Sequence, residues 1–137
     1  TLVQDIQTLK GSSILLTEDN KTNQQFMSIL LKKYGLTFDI AVDGLDAIEL
    51  FKTNEYDLIL MDENMPNMNG IEATKKIIKL EKELNLPHTP IIAVTANALK
   101  GDRERFISAG MDEYLTKPLS KKKLVEILTK VLDIKND

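Results

Sequence analysis

Short apolar runs alternate along this chain with longer stretches in which apolar residues recur every three to four positions. The runs at residues 14–16, 58–61 and 91–94 are continuously apolar, the pattern of central strands covered on both faces. Residues 37–41 alternate instead (Thr37-Phe38-Asp39-Ile40-Ala41), which predicts an edge strand with one wet face. Residues 114–117 are short and mixed and read as the other edge. Between the runs lie five helical segments. Asn20 caps the first, whose Phe26, Met27, Leu30, Leu31 and Tyr34 share one face before Gly35 stops it. The second carries Ala47, Ile48 and Phe51. The third begins near Gly70, shows Ile71, Thr74, Ile77, Ile78 and Leu84, and ends before Pro87. The fourth spans about 102–109 and closes at Gly110. Ser120 caps the last, with Leu124, Ile127, Leu128, Val131 and Leu132 as its stripe and Val125 off it, a hint of a contact surface. Strands alternating with helices predict an α/β fold with a doubly wound parallel sheet. Residues 1–11 stand outside the pattern and read as a linker or the tail of a preceding domain, leaving 12–137 as one domain.

The runs end in polar residues of different kinds: Glu18 and Asp19, then Asp62, Thr95 and Lys117. In an open parallel sheet the carboxyl ends of the strands share the edge where ligands bind. That edge would gather three acids, a hydroxyl and an ammonium. Two carboxylates about 5 Å apart repel by roughly 3 kcal/mol at an effective dielectric near 20, and Lys117 supplies one positive charge against three negative ones. A divalent cation balances them better, and an all-oxygen site points to Mg²⁺ or Mn²⁺. A lone acid at a strand end is ordinarily a helix cap; the coincidence with Thr95 and Lys117 favours a metal site beside a phosphoryl site.

Bulk properties narrow the field further. The 137 residues are 42% hydrophobic and 28% charged with net charge −3, and the basic residues are dispersed, which argues against a nucleic-acid or anionic-membrane surface. With no cysteine, disulfides and thiolate metal sites are excluded and a reducing, cytoplasmic compartment is the natural expectation. Neither a signal-peptide pattern nor a stretch of ~20 apolar residues is present. The start at Thr1 fits either loss of an initiator Met or excision from a longer protein.

In order and spacing, Leu15-Leu16-Thr17-Glu18-Asp19-Asn20, Asp57-Leu58-Ile59-Leu60-Met61-Asp62, Met65-Pro66 with Gly70, Val94-Thr95-Ala96 and Lys117-Pro118 form a specific set. With them, the stretch from about Ser12 to Asp133 resembles the receiver domain of two-component response regulators. The segment from Thr89 to Arg103 resembles receivers fused to hybrid sensor histidine kinases in particular. The resemblance implies a flavodoxin-like fold of five strands in the order 2-1-3-4-5 with five helices. It makes Asp62 the acceptor of a phosphoryl group from a phosphohistidine on a histidine kinase or histidine phosphotransfer domain. Such a domain is not an enzyme in its own right but assists its own phosphorylation and dephosphorylation. The metal would be held by Asp19 and Asp62, by Glu18 through a water, and by the main-chain carbonyl of Asn64. Lys117 and Thr95 would bind phosphoryl oxygens, with the Lys117–Pro118 bond cis. Tyr114 would follow Thr95 in the switch, changing the surface of the fourth helix, fifth strand and fifth helix, through which a homodimer is also compatible. Donor docking would use the first helix near Gln24, Gln25 and Ser28. In that family the positions of Asn64 and Asn97 vary and control access of the hydrolytic water, so the resemblance implies that their identity here would affect phosphoryl lifetime.

The only histidine, His88, lies between Pro87 and Pro90 and reads as a surface loop residue, so the donor must lie elsewhere. No nucleotide-binding glycine pattern appears. A phosphatase of the haloacid-dehalogenase kind also uses Asp, Thr, Lys and Mg²⁺, but typically carries an acid two residues after its nucleophile, where this chain has Asn64. A non-phosphorylated interaction module would have no need of the full set of acids, Thr95 and Lys117.

Overall fold

A computed structural model describes residues 11–96, 102–117 and 119–136, with side chains in the last helix described to Leu132. The elements run β1 (Ser13–Thr17), α1 (Lys21–Lys33), β2 (Thr37–Ala41), α2 (Gly44–Thr53), β3 (Leu58–Asp62), α3 (Gly70–Glu83), β4 (Ile91–Thr95), α4 (Asp102–Ala109), β5 (Glu113–Thr116) and α5 (Lys121–Asn136). The strands form one parallel sheet in the order β2-β1-β3-β4-β5, as expected. Asp62 and Thr95 belong to their strands rather than to the loops beyond, so the polar termini are held rigidly by the ladder. Of the expected linker or tail, residues 1–11, only Gly11 is described, its N–H donating to Gly35 O at 2.9 Å; residues 1–10 lie outside the described residues.

Side chains alternate across the sheet, and the two apolar sets build two cores. Ile14, Leu16, Leu58, Leu60 and Ile92 pack against Met27, Leu31 and Tyr34 of the α1 region and Leu124, Leu128 and Leu132 of α5. Leu15, Ile59, Met61, Ile91 and Ala93 face the other way, onto Phe51 of α2, Ala73 and Ile77 of α3 and Phe106 of α4. Caps fix where the helices begin: Asn20, Asp43 and Asn69 accept from the main-chain N–H three residues on. Ser120 Oγ likewise accepts from Lys123 N at 3.1 Å.

Two helical faces differ from the periodic reading. Val125 is buried among the α1–α5 core residues and is no contact surface, whereas Ile127 and Val131 are only partly buried. The buried arc of α5 is therefore rotated towards Leu124 and Val125, because the packing angle of the helix on the sheet selects the arc. Phe26 keeps helical phase with Met27 and Leu30, yet it is 45% exposed.

His88 is 45% exposed but is no idle loop residue. Its Nδ1 lies 2.9 Å from Glu81 Oε1 and its Nε2 2.9 Å from Asp112 Oδ2. Glu81, buried on α3, also accepts from Thr89 N at 2.6 Å, and Asp112 accepts from Ile91 N at 2.8 Å. The imidazole thus ties α3 and the turn before β5 to the start of β4, at the end of the sheet opposite the acids. Its pKa is pushed up to about 9, by Asp112 first and then by Glu81, against the opposing effect of burial. A raised histidine pKa stabilises the fold below its ordinary value of 6.5, and that stabilisation is lost as pH rises through about 9. His88→Gln is expected to cost about 1 kcal/mol at pH 7, discounted for solvent screening. The gap to the parent should close by about pH 10 in urea unfolding; a cost independent of pH would contradict the charged clamp.

Candidate functional site

Four strand ends converge where the ladder aligns them. Thr17 is level with Met61, Asp62 with Val94, and Thr95 with Thr116. Asp62 closes β3 and is 3% exposed. Its main-chain N–H donates to Thr17 Oγ1 at 3.1 Å, and that hydroxyl donates to Leu60 O at 3.0 Å. Thr17, not singled out from sequence, thereby pins β1 to the end of β3. Gly70 permits the return of α3, since a Cβ there would collide with Asp62 O.

Beside Asp62 stand Glu18 and Asp19. The three carboxylates offer oxygens that all lie within 4.8 Å of one another, with Glu18 and Asp62 buried and Asp19 exposed. Glu18 Oε2 accepts from Asn20 N at 3.1 Å, while the side-chain amide of Gln24 donates to the Glu18 main-chain oxygen at 2.6 Å. Lys117 extends from the turn after β5, its Nζ 3.3 Å from Asp62 Oδ2 and 3.4 Å from Glu18 Oε1. Asn64 N approaches Asp62 Oδ1 at 3.4 Å.

The charges explain the protonation pattern. Burial pushes the Asp62 carboxyl up to about 7, and the facing Glu18 adds to this while Lys117 opposes it. Burial also raises Glu18, but the Asn20 N–H, Asp62, Lys117 and Asp19 together hold it below the usual value. Glu18 is therefore the ionised partner, and Asp62 keeps a proton to higher pH. Burial lowers Lys117, and the two carboxylates more than reverse this, so it stays charged. Such a cluster fits a hard divalent cation: oxygen donors only, an excess of negative charge, and an exposed acid leaving room for water.

Thr95 ends β4 and is buried. Tyr114, half-buried on β5, has its ring 5.9 Å from that of Phe106. Arg105 lies over the Phe106 ring at 4.6 Å and pairs with Glu63, the residue after Asp62, at 2.8 Å. This link from the end of β3 to α4 was invisible in sequence, because its partners lie far apart along the chain. Asn97 and Pro118, and with Pro118 the expected cis bond, lie outside the described residues.

The response regulator receiver domain model matches residues 14–129. The chain belongs to this family. It is 43% identical over 120 residues to hybrid signal transduction histidine kinase I of Dictyostelium discoideum; the match covers 84% of this chain and 7% of that protein. The receiver domain thus spans a small part of that relative. Among solved structures, it resembles the receiver domain of sensor histidine kinase PA1611 from Pseudomonas aeruginosa PAO1, which has a magnesium ion coordinated in its active-site cleft. That match has a TM-score of 0.79 and 39% identity, and covers 90% of this chain and 98% of the other. The Saccharomyces cerevisiae Ssk1 receiver domain, solved with the histidine phosphotransfer protein Ypd1, gives a TM-score of 0.86 at 28% identity, covering 93% and 92%. No helix among the described residues is long and apolar enough to cross a membrane.

Proposed function

We propose that this receiver domain is a phosphoacceptor switch in which Asp62 takes a phosphoryl group from a phosphohistidine. The observation that carries the reading is the buried Asp62 carboxylate, set between Glu18, Asp19 and Lys117. A carboxylate oxygen of Asp62 attacks phosphorus in line, the P–N bond breaks as the O–P bond forms, and the imidazole leaves with the electron pair. Little covalent assistance is needed, so positioning and charge compensation dominate. Lys117 meets charge developing on one phosphoryl oxygen, and the Thr95 hydroxyl is the donor for another. Glu18, Asp19, Asp62 and the Asn64 carbonyl would hold Mg²⁺, which supplies neutralisation of the phosphoryl oxygens when bound.

The donor is the histidine of a kinase or a phosphotransfer domain, in keeping with the Ypd1 complex of the Ssk1 receiver. It would approach over α1, where Gln25, Phe26 and Ile29 are exposed. Phe26 borders a cleft shared with Glu18, Thr22, Lys117 and Leu119, while Gln24 is committed to the Glu18 carbonyl. Signal output would follow from Thr95 moving towards the phosphoryl group and Tyr114 following. The α4–β5–α5 face that would change is laced by Glu113, which pairs with Arg103 and Lys130 at 3.3 Å each.

Phosphoramidate, a small P–N donor, should phosphorylate the protein in Mg²⁺ and give an acyl phosphate signal by ³¹P NMR. With a chelator the rate should fall at least about a hundredfold, since each ~1.4 kcal/mol is a factor of ten and the metal's electrostatic contribution is several kcal/mol. Equal labelling with and without the metal would overturn the reading.

A further inference from the structure

The segment between β3 and α3 carries the Asn64 carbonyl and is fastened from the side of α2. Asn67 Nδ2 donates to Asp43 Oδ2 at 2.7 Å, and Gly44 N donates to Met68 O at 3.1 Å. The approach is close enough that a Cβ on Gly44 would strike Met68 O. Within the segment Gly70 N donates to Glu63 O at 2.9 Å, closing it into a loop. Asn67 sits at φ 66, the left-handed region, which its short polar side chain tolerates. Asp43 is 9% exposed and divides its oxygens: Oδ1 accepts from Asp46 N at 2.8 Å to cap α2, and Oδ2 is given to Asn67. The Asp43 carboxylate is thus the one polar side-chain tie from α2 to this loop among the described residues.

We propose that the Asp43–Asn67 hydrogen bond is a positioning contact that sets the place of the Asn64 carbonyl and thereby the Mg²⁺ affinity of the acidic site. This rests on the functional reading that Glu18, Asp19, Asp62 and Asn64 hold the metal. Groups that orient metal ligands without touching the ion commonly govern affinity by tenfold or more. Asp43 and Asn67 are positioning residues, since neither is a ligand in that reading.

Two variants isolate the bond. Asp43→Ser keeps a capping oxygen for α2 but cannot reach Asn67 as the carboxylate does. Asn67→Gly keeps the positive φ and removes only the amide. MgCl2 titrations of the full chain, followed by backbone-amide NMR, give Kd for the parent, both single variants and the double variant. Each single substitution should raise Kd about tenfold, and the double variant should be no worse than either alone, because one bond is lost in all three. Single variants that bind Mg²⁺ as the parent does would overturn the inference, as would effects that multiply to about a hundredfold. A parent that binds no Mg²⁺ would overturn the metal reading itself, and with it this inference, and the parent titration alone reveals that outcome.

Discussion

Asp62→Asn raises the melting temperature of the metal-free protein at pH 8 by about 5–8 °C, the equivalent of ~2 kcal/mol in a domain of this size. The buried Asp62 carboxyl is pushed from 3.8 up to about 7, a shift that corresponds to roughly 4 kcal/mol of destabilisation of the ionised form. The shift is already net of the attraction to Lys117. About half of it is offset because the buried asparagine NH2 group brings a second donor beside the Lys117 ammonium, which a protonated carboxyl does not. An asparagine amide can donate to Glu18 as the Asp62 proton does, so no buried acceptor is orphaned. The sign follows from proton linkage. Between pH 3.8 and about 7 the folded chain holds a proton that the unfolded chain has released, so the parent loses stability as pH rises across that window. The variant has no such loss. The two should melt nearly alike near pH 3.8, diverge through the window and hold a constant gap above it. A variant that melts lower than the parent at pH 8 would contradict the charge-crowded site.

Lys117→Gln should slow phosphorylation by a small phosphodonor by about 10²–10³-fold, the usual loss when a preorganised transition-state donor is removed from a sheltered site. Lys117 bridges Asp62 and Glu18 at 3.3 and 3.4 Å, and among the described residues no other cation pairs with Asp62 or Glu18. Glutamine retains hydrogen-bonding capacity and loses the charge, so the substitution tests the charge itself. The metal-free variant should also be less stable by about 2 kcal/mol at pH 8, because two buried carboxylates lose their shared counter-charge. Phosphorylation within threefold of the parent rate would remove Lys117 from the chemistry.

Most of the site was legible because its residues stand at the ends of strands. A parallel strand buried on both faces reads as an unbroken apolar run, and the first polar residue after it marks the functional edge. Asp62 and Thr95 could be found in this way, Glu18 and Asp19 by their place after β1, and Lys117 by its place at the end of the short, mixed edge run. The helical stripes were legible as periods but not as directions. Val125 and Phe26 show why: a period fixes which residues share an arc, while the arc that meets the sheet depends on how the helix crosses it. The Glu81–His88–Asp112 clamp, the Arg105–Glu63 pair and the Asp43–Asn67 bond were illegible. Each joins residues from different elements, and Asn67 makes its bond from a backbone at positive φ, which no sequence period announces. Pro66-Asn67-Met68-Asn69-Gly70 signals a turn, and a turn signal does not name the side chain that anchors it.

The assignment of Asp62 as acceptor is tested most directly by intact-mass spectrometry after incubation with acetyl phosphate and Mg²⁺. The parent should gain a single phosphoryl group that mild alkali removes, as an acyl phosphate requires, and Asp62→Asn should gain none. Equal labelling of the parent and the variant would contradict the account.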